Sequence, residues 1–466
     1  MKYLSVLLAV GCLLTAVHAQ WLETTIRLDS GASPSALCYN PQNNKVYCAN
    51  YGRGTVSVIN GATNVIAATI AIGEEASDLS CNPLGNKVYC AYGRDSGRLA
   101  VIDGATDSVI ATIAVGPYPG PLCLGLQDNK VYCIGGEANQ VTVIDGARDS
   151  AIATITVGTM PQALGYDPQG NTVYCANRVS DDVTVIDGAA DSVVGTVAAG
   201  YMPCAFCCNT RNNRVYCANG GDYPIGNYDS TVIVIDGATH RAIDTVMVGD
   251  FPLAIAYNAH NNRVYTANAA AGTVTVIDGA RDSVIATVPA GTADDYERSL
   301  CFDTLHNKLY CVNYQAGNVT VIDGATNSVL TTIALESLPH PIAWNPAQSR
   351  VYVANQRSNS IQVIRDTTTP AVEESRKPQA VSSKPLPTIV RGVLYLPRAE
   401  NGDSPPERLR PTRRGTVPIF RPILLDISGR WVIDLCPGAN DVSRLAPGVY
   451  FVLDKPQAVR KVVIER

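Results

Sequence analysis

Residues 45–73 read KVYCANYGRGTVSVINGATNVIAATIAIG, and variants of this stretch recur along the first 365 residues. The stretch contains three short apolar runs separated by turn residues. Its tyrosine recurs at steps of 42, 43, 42, 42, 49, 45 and 42 residues. The eight copies are Tyr47, Tyr89, Tyr132, Tyr174, Tyr216, Tyr265, Tyr310 and Tyr352. A period of this length predicts a repeat architecture in which each copy is one supersecondary unit.

Each repeat contains four β-rich runs, which in the first copy cover residues 36–39, 45–49, 55–59 and 65–72. The runs are rich in Val, Ile, Thr and Tyr and are bounded by Gly, Pro, Asn and Asp, as is typical of strands. Asn-Gly or Asp-Gly pairs after the third run indicate tight turns. Four antiparallel strands per repeat predict one propeller blade. A parallel β-helix has shorter rungs and needs no tight hairpins.

The order of the runs predicts how the ring closes. The first run after residue 19 is a fourth-strand run at residues 24–28, and the last is a third-strand run at residues 361–364. The N-terminal strand therefore completes the final blade and pairs two edges that would otherwise be exposed. The predicted fold is all-β, a single propeller of eight four-stranded blades. A seven-bladed ring with a spare blade is the alternative, and it leaves one edge unpaired.

The ends of the chain differ from the repeats. Residues 1–19 have the positive, apolar and small-residue regions of a secretory signal peptide, and their apolar core is too short to span a bilayer. Lipidation at Cys12 is the alternative. Residues 20–365 form the predicted propeller, and residues 366–387 form a linker rich in Pro, Ser and charge. Residues 371–466 carry a net charge of +6 and the rest −11, which supports a boundary near 370.

The repeats resemble a known family. The boxes YCAN at Tyr47, YTAN at Tyr265, YCVN at Tyr310 and YVAN at Tyr352 are similar to those of the YVTN β-propellers of bacterial and archaeal surface proteins. The resemblance covers about residues 22–365. It implies an exported or surface protein, often described as surface-layer-like, without a common enzymatic activity. Propellers of this kind are similar in shape to lactonases and to some dehydrogenase subunits, but a fold does not transfer function.

Residues 388–466 predict a small C-terminal β-sandwich. The runs LLDISGRWVIDL, LAPGVYFV and the terminal KVVI resemble the C-terminal sorting domains of the type IX secretion system. The resemblance implies recognition by outer-membrane export machinery, followed by removal of the tail or its replacement by a surface anchor. The basic run RLRPTRR at residues 408–414 departs from that pattern, and the aromatic platforms of a nucleic-acid site are missing beside it.

The cysteines recur at two equivalent positions of the repeat, on the first and second strands. If the hairpin places these positions opposite each other, they form cross-strand disulfides, in keeping with export. The candidate pairs are Cys38 with Cys48, Cys81 with Cys90, Cys123 with Cys133, Cys208 with Cys217 and Cys301 with Cys311. The alternative is that Cys serves as a small buried hydrophobe. Directly opposed strand positions often have poor disulfide geometry.

Motifs for a metal or cofactor are absent from the sequence. The paired cysteines stand about ten residues apart, the single CxxC at Cys204 and Cys207 has no companion His, and CxxCH, HExxH and GxSxG do not occur. The repeated Asp after the third run is best explained as a turn residue that binds its own backbone. We therefore expect no cofactor and no metal.

Two insertions break the period and predict a ligand site. Residues 220–230 lengthen a loop between strands two and three, and residues 292–298 lengthen a loop between strands four and one. These two kinds of loop emerge on the same face of a propeller, and loops carry most binding sites on rigid scaffolds. The candidate ligand residues are Asp222, Tyr223, Tyr228, Asp229, Asp294, Asp295 and Tyr296. Neutral drift in loop length is the alternative.

The sequence thus predicts a secreted or cell-surface, non-catalytic propeller that binds a protein or a carbohydrate, with the secretion machinery as a second partner. A propeller enzyme, either lactonase-like or an oxidoreductase-associated subunit, is the alternative. Such an enzyme requires carboxylate, His or Asn side chains that converge at the mouth of the central channel.

Overall fold

The computed structural model describes residues 20–222, 226–292 and 298–367, together with seven strands between residues 388 and 464. The predicted signal peptide, including Cys12, and most of the predicted linker lie outside the described residues. The chain divides into two compact units, Met1–Val372 and Glu373–Arg466. All regular elements in the described part are strands. It contains no helix with the length and apolar character needed to cross a membrane.

The first unit contains eight antiparallel sheets of four strands, and each sheet is one blade. In blades 1 to 7 the strands follow chain order from the inner to the outer edge. Blades 1 to 4 consist of β2 (Pro34–Asn40), β3 (Lys45–Asn50), β4 (Thr55–Asn60) and β5 (Val65–Ala71); β6 (Asp78–Asn82), β7 (Lys87–Tyr92), β8 (Arg98–Asp103) and β9 (Ser108–Ala114); β10 (Pro119–Gly125), β11 (Lys130–Gly135), β12 (Gln140–Asp145) and β13 (Ser150–Thr156); and β14 (Pro161–Asp167), β15 (Thr172–Asn177), β16 (Asp182–Asp187) and β17 (Ser192–Ala198).

The remaining four blades repeat this plan, and the last of them includes β1 from the N-terminus. They consist of β18 (Pro203–Asn209), β19 (Arg214–Asp222), β20 (Asn227–Asp236) and β21 (Arg241–Met247); β22 (Pro252–Asn258), β23 (Arg263–Asn268), β24 (Thr273–Asp278) and β25 (Ser283–Pro289); β26 (Arg298–Asp303), β27 (Lys308–Asn313), β28 (Asn318–Asp323) and β29 (Val329–Ala334); and β30 (Pro339–Asn345), β31 (Arg350–Asn355), β32 (Ser360–Asp366) and β1 (Gln20–Arg27). The predicted eight-bladed propeller is confirmed, and its last strand ends one residue beyond the predicted boundary.

The ring closes as predicted, because β1 pairs antiparallel with β32 as the outer strand of blade 8. The pairing runs from Gln20 opposite Asp366 to Arg27 opposite Ser360. A second contact joins β1 to the rest of blade 8, since the Arg350 guanidinium binds the Glu23 carboxylate at 2.6 and 2.7 Å. The two ends of the propeller sequence therefore share one sheet.

The second unit, taken by itself, contains two sheets. A five-stranded sheet has the order β33-β39-β38-β35-β36, and β34 pairs with β37. These strands are β33 (Thr388–Val390), β34 (Val393–Leu396), β35 (Ile423–Leu425), β36 (Trp431–Asp434), β37 (Gly438–Asp441), β38 (Gly448–Lys455) and β39 (Ala458–Ile464). The elements described in this unit are all strands, as expected.

The hydrophobic core lies between blades rather than within one of them. Side chains of successive strand residues point to opposite faces of a sheet, so each second strand serves both neighbours. In blade 1, Tyr47 packs with Val88 and Cys90 of blade 2, whereas Val46 packs with Tyr352 of blade 8. All eight repeat tyrosines are fully buried. A blade is therefore stable only in contact with the next one.

The turns define two faces. Strand pairs one–two and three–four are joined on the lower face, whereas strands two–three and four–one are joined on the upper face. The Asp of each Asp-Gly turn lies on the lower face and caps that turn. The Asp103 carboxylate accepts hydrogen bonds from the backbone N–H groups of Ala105 and Thr106, both at 2.8 Å. These bonds hold the pKa of the Asp103 carboxyl below its usual range.

An interblade clamp joins neighbouring blades at the lower face. It consists of a second-strand tyrosine and the basic residue two positions before it, which together contact the end of the next blade's three–four turn. In blade 1, Lys45 Nζ lies 2.8 Å from both oxygens of Asp107, and the Tyr47 hydroxyl lies 3.1 Å from one of them. Asp107 has a φ of 54°. Asp and Asn tolerate this left-handed conformation better than most residues.

The clamp repeats around the ring with local changes. The equivalent contacts are Lys87 with Asp149, Lys130 with Asp191, Arg214 with Asp282, Arg263 with Asn327 and Lys308 with Asp366. Between blade 8 and blade 1, Arg350 donates to the carbonyls of Gly61 and Ala62, and the Tyr352 hydroxyl donates to Asn64. In blade 4, Thr172 stands where the other blades have a Lys or Arg, and the Tyr174 hydroxyl contacts the His240 imidazole instead.

The predicted cross-strand disulfides are not formed. Cys38 stands opposite Tyr47, and Cys48 stands opposite Leu37. This offset of one residue turns the two thiols to opposite faces of the sheet. Cys38 instead bonds to Cys81 on the inner strand of blade 2, with the Cα atoms 6.1 Å apart.

In the pairs Cys123 with Cys133 and Cys301 with Cys311 the thiols are separated for the same reason, because Cys123 stands opposite Tyr132 and Cys301 opposite Tyr310. In the pairs Cys81 with Cys90 and Cys208 with Cys217 the offset is two residues, so the side chains share a face without standing directly opposite each other. No disulfide joins the members of these pairs, and burial raises the pKa of the Cys90, Cys133 and Cys217 thiols. They fit the alternative, that Cys is a buried hydrophobe.

Removal of one clamp acceptor should loosen the ring. We expect Asp149→Ala to lower the free energy of unfolding by about 1–3 kcal/mol, because Lys87 and Tyr89 lose their partner in a largely buried contact. Asp149→Asn, which keeps the turn and a hydrogen-bond acceptor, should cost less. The measurement is urea unfolding followed by far-UV circular dichroism.

The neighbouring Arg148→Ala provides the matched control for the clamp. Its ion pair with Asp145 is 79% exposed at the Arg148 side chain. Exposed pairs contribute about 0–1 kcal/mol. Equal losses in Asp149→Ala and Arg148→Ala would contradict a structural role for the clamp.

Thiol mapping tests the disulfide assignment. We expect alkylation of the denatured, unreduced protein to label the free cysteines named above and to leave Cys38 and Cys81 unlabelled. Without denaturant, the fully buried Cys48 and Cys90 should react slowly, because burial raises the pKa of both thiols. Peptide mass spectrometry gives the readout. A peptide that joins Cys38 to Cys48 would contradict the assignment.

Candidate functional site

Two positions of each repeat form the rim of the central channel on the upper face. One is the residue just before the inner strand, which has a positive φ in seven of the described loops. These residues are Ser33, Glu75, Tyr118, Met160, Met202, Phe251 and Leu338. The other position follows the second strand, and its N–H commonly donates to the first position, as from Tyr51 to the Ser33 carbonyl at 3.1 Å.

Blades 2 and 3 break the pattern beside this rim. In the other six blades the second strand ends in Asn, whose amide holds the third strand. In blade 1, Asn50 Nδ2 lies 3.0 Å from Thr55 Oγ1 and 2.9 Å from Ser57 Oγ. The equivalent residues of blades 2 and 3 are Tyr92 and Gly135, and each is followed by a glycine. The amide network is lost in both blades, and a cleft lies here whose lining includes the following glycines, Gly93 and Gly136.

The cleft, which we call the blade 2–3 cleft, has a volume of about 510 Å³. Tyr51 and Tyr118 line it, with 37% and 39% of their surface exposed. The Arg94 guanidinium lies 5.4 Å from the centre of the Tyr118 ring and 4.0 Å from the Glu75 carboxylate. Partial burial and the neighbouring Glu75 charge raise the pKa of the Tyr51 hydroxyl. Aromatic rings and a balanced ion pair thus meet around one cavity.

Asp78 is a lining residue of the cleft on the inner strand of blade 2. It is the one acidic side chain at this strand position; the other blades have Ala36, Pro121, Ala163, Ala205, Ala254, Ser299 and Pro341. One Asp78 carboxylate oxygen accepts the Leu122 N–H of blade 3 at 2.7 Å. Burial raises the pKa of the Asp78 carboxyl to about 6, although backbone hydrogen bonds oppose the shift. This acid therefore changes charge near neutral pH.

The cleft continues into the central channel. A second cavity of about 370 Å³ shares Ser35, Asp78 and His340 with it. The disulfide between Cys38 and Cys81 links the same two inner strands that carry Ser35 and Asp78. The wall of the site is therefore covalently held.

The predicted ligand residues are only partly described. Tyr223, Asp294, Asp295 and Tyr296 lie outside the described residues. Asp222 pairs with Asn227 in a lengthened hairpin, and Tyr228 stacks 5.4 Å from the Phe251 ring. The Asp229 carboxylate accepts the Tyr201 N–H at 2.7 Å and the Thr231 hydroxyl at 2.6 Å. These contacts are internal to the fold, and a shared ligand site of the two insertions stays a prediction.

A second polar cluster lies on the lower face between blades 7 and 8. Asp303, His306 and Asp366 form the one group in the described ranges whose metal-type donor atoms lie within 4.8 Å of one another. Lys308 Nζ and the Tyr310 hydroxyl each lie 2.5 Å from Asp366. Because these groups already occupy both Asp366 oxygens, the residues fit an internal ion cluster rather than a metal site.

The same cluster shifts the titration of its members. His306 Nδ1 lies 2.5 Å from Asp303, and this carboxylate raises the pKa of the His306 imidazole. Burial raises the pKa of Asp366. The cluster thus places His306 and Lys308 against two carboxylates between blades 7 and 8.

Comparisons with known proteins support the fold. No protein-family model matches the chain, and a search of curated proteins finds no match. Among solved structures, hydrazine synthase of Kuenenia stuttgartiensis is similar with a TM-score of 0.51 and 16% identity, over 75% of this chain and 100% of that chain. At this identity the likeness shows a shared propeller fold and no more.

The sequence marks the cleft by a change of residues in the second and third repeats, which a search for lengthened loops does not detect. The box reads CAN or a close variant in six repeats, but CAYG in the second and CIGG in the third. The repeat length barely changes there, so a search for insertions passes over it. Asp78, in place of a small or apolar residue, marks the same blades.

A change at Asp78 should show the energetic cost of this site. We expect Asp78→Asn to raise the free energy of unfolding at pH 7.5 by about 1–3 kcal/mol, because it removes a charge from a poorly solvated position. The folded pKa is raised, so the charge costs nothing below about pH 4, and stability is lost as pH rises through about 6. Urea unfolding at pH 4.5, 6 and 7.5 measures the difference.

Asp145→Asn is the contrasting control for Asp78→Asn. Hydrogen bonds from the Arg148 backbone N–H and its neighbours hold the pKa of Asp145 below its usual range. This substitution should therefore lower stability at neutral pH. A destabilised Asp78→Asn at pH 7.5 would contradict the assignment of Asp78 as a strained functional acid.

Proposed function

We propose that this protein is an exported, cell-surface β-propeller that acts as a binding module, with the blade 2–3 cleft as its ligand site. One observation carries the proposal: the repeat loses its stabilising Asn in two adjacent blades, and a lined cavity lies beside the exchanged positions. Tyr51, Glu75, Arg94 and Tyr118 surround that cavity. A chain that repeats one unit eight times has no packing reason for this local exception.

The proposed export rests on the two ends of the chain. Residues 1–19 have the pattern of a signal peptide, and the strands after residue 388 accompany motifs similar to type IX sorting domains. The repeat boxes are similar to those of YVTN surface proteins. In this proposal the propeller is a surface-layer-like module and the C-terminal unit delivers it to the outer surface.

A propeller enzyme is the second candidate, and Asp78 is the observation that favours it. An acid with a pKa of about 6 shares a cavity with His340, and general acid–base catalysis uses groups that titrate near neutral pH. The similar solved structure is named as a hydrazine synthase, but its low identity transfers no activity. The cleft does not bring the carboxylate and His side chains into a metal-type group in the described part of the chain.

The binding proposal is tested with a blocked cleft. Gly136→Trp places a large side chain in the cavity, and its Cβ meets only Tyr118 backbone and Cβ atoms at 3.5 and 3.8 Å. The probes are panels of saccharides, amino acids, short peptides, nucleotides and lactones, with thermal stabilisation and turnover as readouts. At least one class should stabilise the full-length protein but not Gly136→Trp.

Gly195→Trp on outer strand β17 is the matched control, because a Cβ there meets nothing within 4 Å. It should bind as the wild type does. Turnover of a lactone that Gly136→Trp abolishes would favour the enzyme instead. If no class stabilises the wild type, the proposal is wrong.

Export is tested separately by deletion of residues 373–466, which removes the second compact unit. In a Gram-negative host with type IX machinery, we expect the full chain at the cell surface and the shortened chain in the periplasm. Protease treatment of intact cells distinguishes the two. Surface exposure of the shortened chain would contradict a sorting role for the tail.

A further inference from the structure

The lining of the cleft restricts the chemistry of what it binds. We propose that the blade 2–3 cleft binds a neutral carbohydrate, with Tyr51 and Tyr118 as the stacking surfaces and Glu75, Arg94 and Asp78 as the hydrogen-bonding groups. This inference rests on the proposed binding function and adds the class of ligand to it.

The aromatic lining favours a ligand with an apolar face. Tyr51 and Tyr118 remain more than a third exposed although they line a cavity. Tyrosine offers a flat apolar ring with a polar end, which suits ligands that are apolar on one side and polar at the edge. A pyranose ring has such a shape, since its C–H groups form faces and its hydroxyls form the rim.

The polar groups demand a ligand that both donates and accepts hydrogen bonds. Glu75 and Asp78 accept in their ionised forms, whereas Arg94 only donates. All three line the same cavity. A hydroxyl donates one hydrogen bond and accepts others, so a group of neighbouring hydroxyls satisfies carboxylate and guanidinium together.

The charge of the cleft argues against ionic ligands. Two carboxylates repel an anion, and the nearest cation, Arg94, already faces Glu75 at 4.0 Å. A cationic ligand would compete with Arg94, which covers one face of Tyr118 at 5.4 Å. Arg94 already faces Glu75, and Asp78 already accepts the Leu122 N–H, so a neutral ligand need not displace either contact.

The size of the cavity is consistent with this class. Its volume of about 510 Å³ lies within the usual range of small-ligand pockets. Glycines contribute to the walls, including Gly93 and Gly136, where no side chain fills the cavity.

Isothermal titration calorimetry with the full-length protein tests the inference. The probes are methyl glycosides of glucose, galactose, mannose and N-acetylglucosamine and their neutral tri- and tetrasaccharides, with glucuronic acid and glucosamine as charged comparators. We expect at least one neutral probe to bind, and Tyr118→Ala and Tyr51→Ala each to weaken it roughly tenfold or more. Tyr118→Phe should retain most of the affinity, because stacking needs the ring and not the hydroxyl.

Matched controls occupy the same repeat positions elsewhere on the rim. Tyr314→Ala in blade 7 is equivalent to Tyr51→Ala, and Met160→Ala in blade 4 is equivalent to Tyr118→Ala. Both should leave binding unchanged. The thermal unfolding midpoint of each variant establishes that it is folded.

Each outcome has a defined meaning. Unchanged affinity in Tyr118→Ala, or tighter binding of a charged comparator, overturns the carbohydrate inference. If no saccharide binds but another class stabilises the wild type and not Gly136→Trp, the inference falls while the proposed binding function stands. If nothing binds, both fall.

Discussion

The ring depends on the hydrogen bond from the second-strand tyrosine of each blade to the next blade, which a basic residue two positions earlier supports in every blade but the fourth. In most blades this contact reaches the left-handed residue that ends the turn, such as Asp107 or Asp149. One side chain therefore completes a hairpin and an interface at once. Because the clamp lies on the lower face, it sets the spacing of the blades without constraining the upper loops. The upper rim is consequently free to vary while the ring stays regular.

Most of the fold was predictable because the same sequence repeat occurs eight times. Spacing of the tyrosines defined the blades, and the phase of the first and last runs defined the closure by β1. The disulfides were predicted wrongly because a pattern shows that Cys38 and Cys48 recur together but not their register. An offset of one residue in a strand reverses the side chain. The cleft was missed because Tyr92 and Gly135 replace residues without changing the length, and only the three-dimensional rim shows what their neighbours then expose.

The blade 2–3 cleft, the proposed ligand site, lacks stabilising contacts that the other blades have. Two Asn networks are lost there, and Asp78 is held where its charge is poorly solvated. Such departures from local consistency are expected at functional sites and must be offset elsewhere. The neighbouring clamps of Lys87 and Lys130 remain complete below the cleft. The blades that lack the Asn contacts at the upper face therefore retain their interblade clamps at the lower face.

The shared sheet of blade 8 has a consequence for the order of events during folding. Gln20 and Asp366 are hydrogen-bonded at 2.9 Å across 346 residues of chain, so closure of the ring is the longest-range contact in the propeller. Contacts of this range form late, because the entropy of closing the loop must be overcome first. No partial product of synthesis can complete blade 8, since β32 is the last propeller strand to emerge. Until then β1 has no strand partner in blade 8, and the arrival of β32 closes the ring.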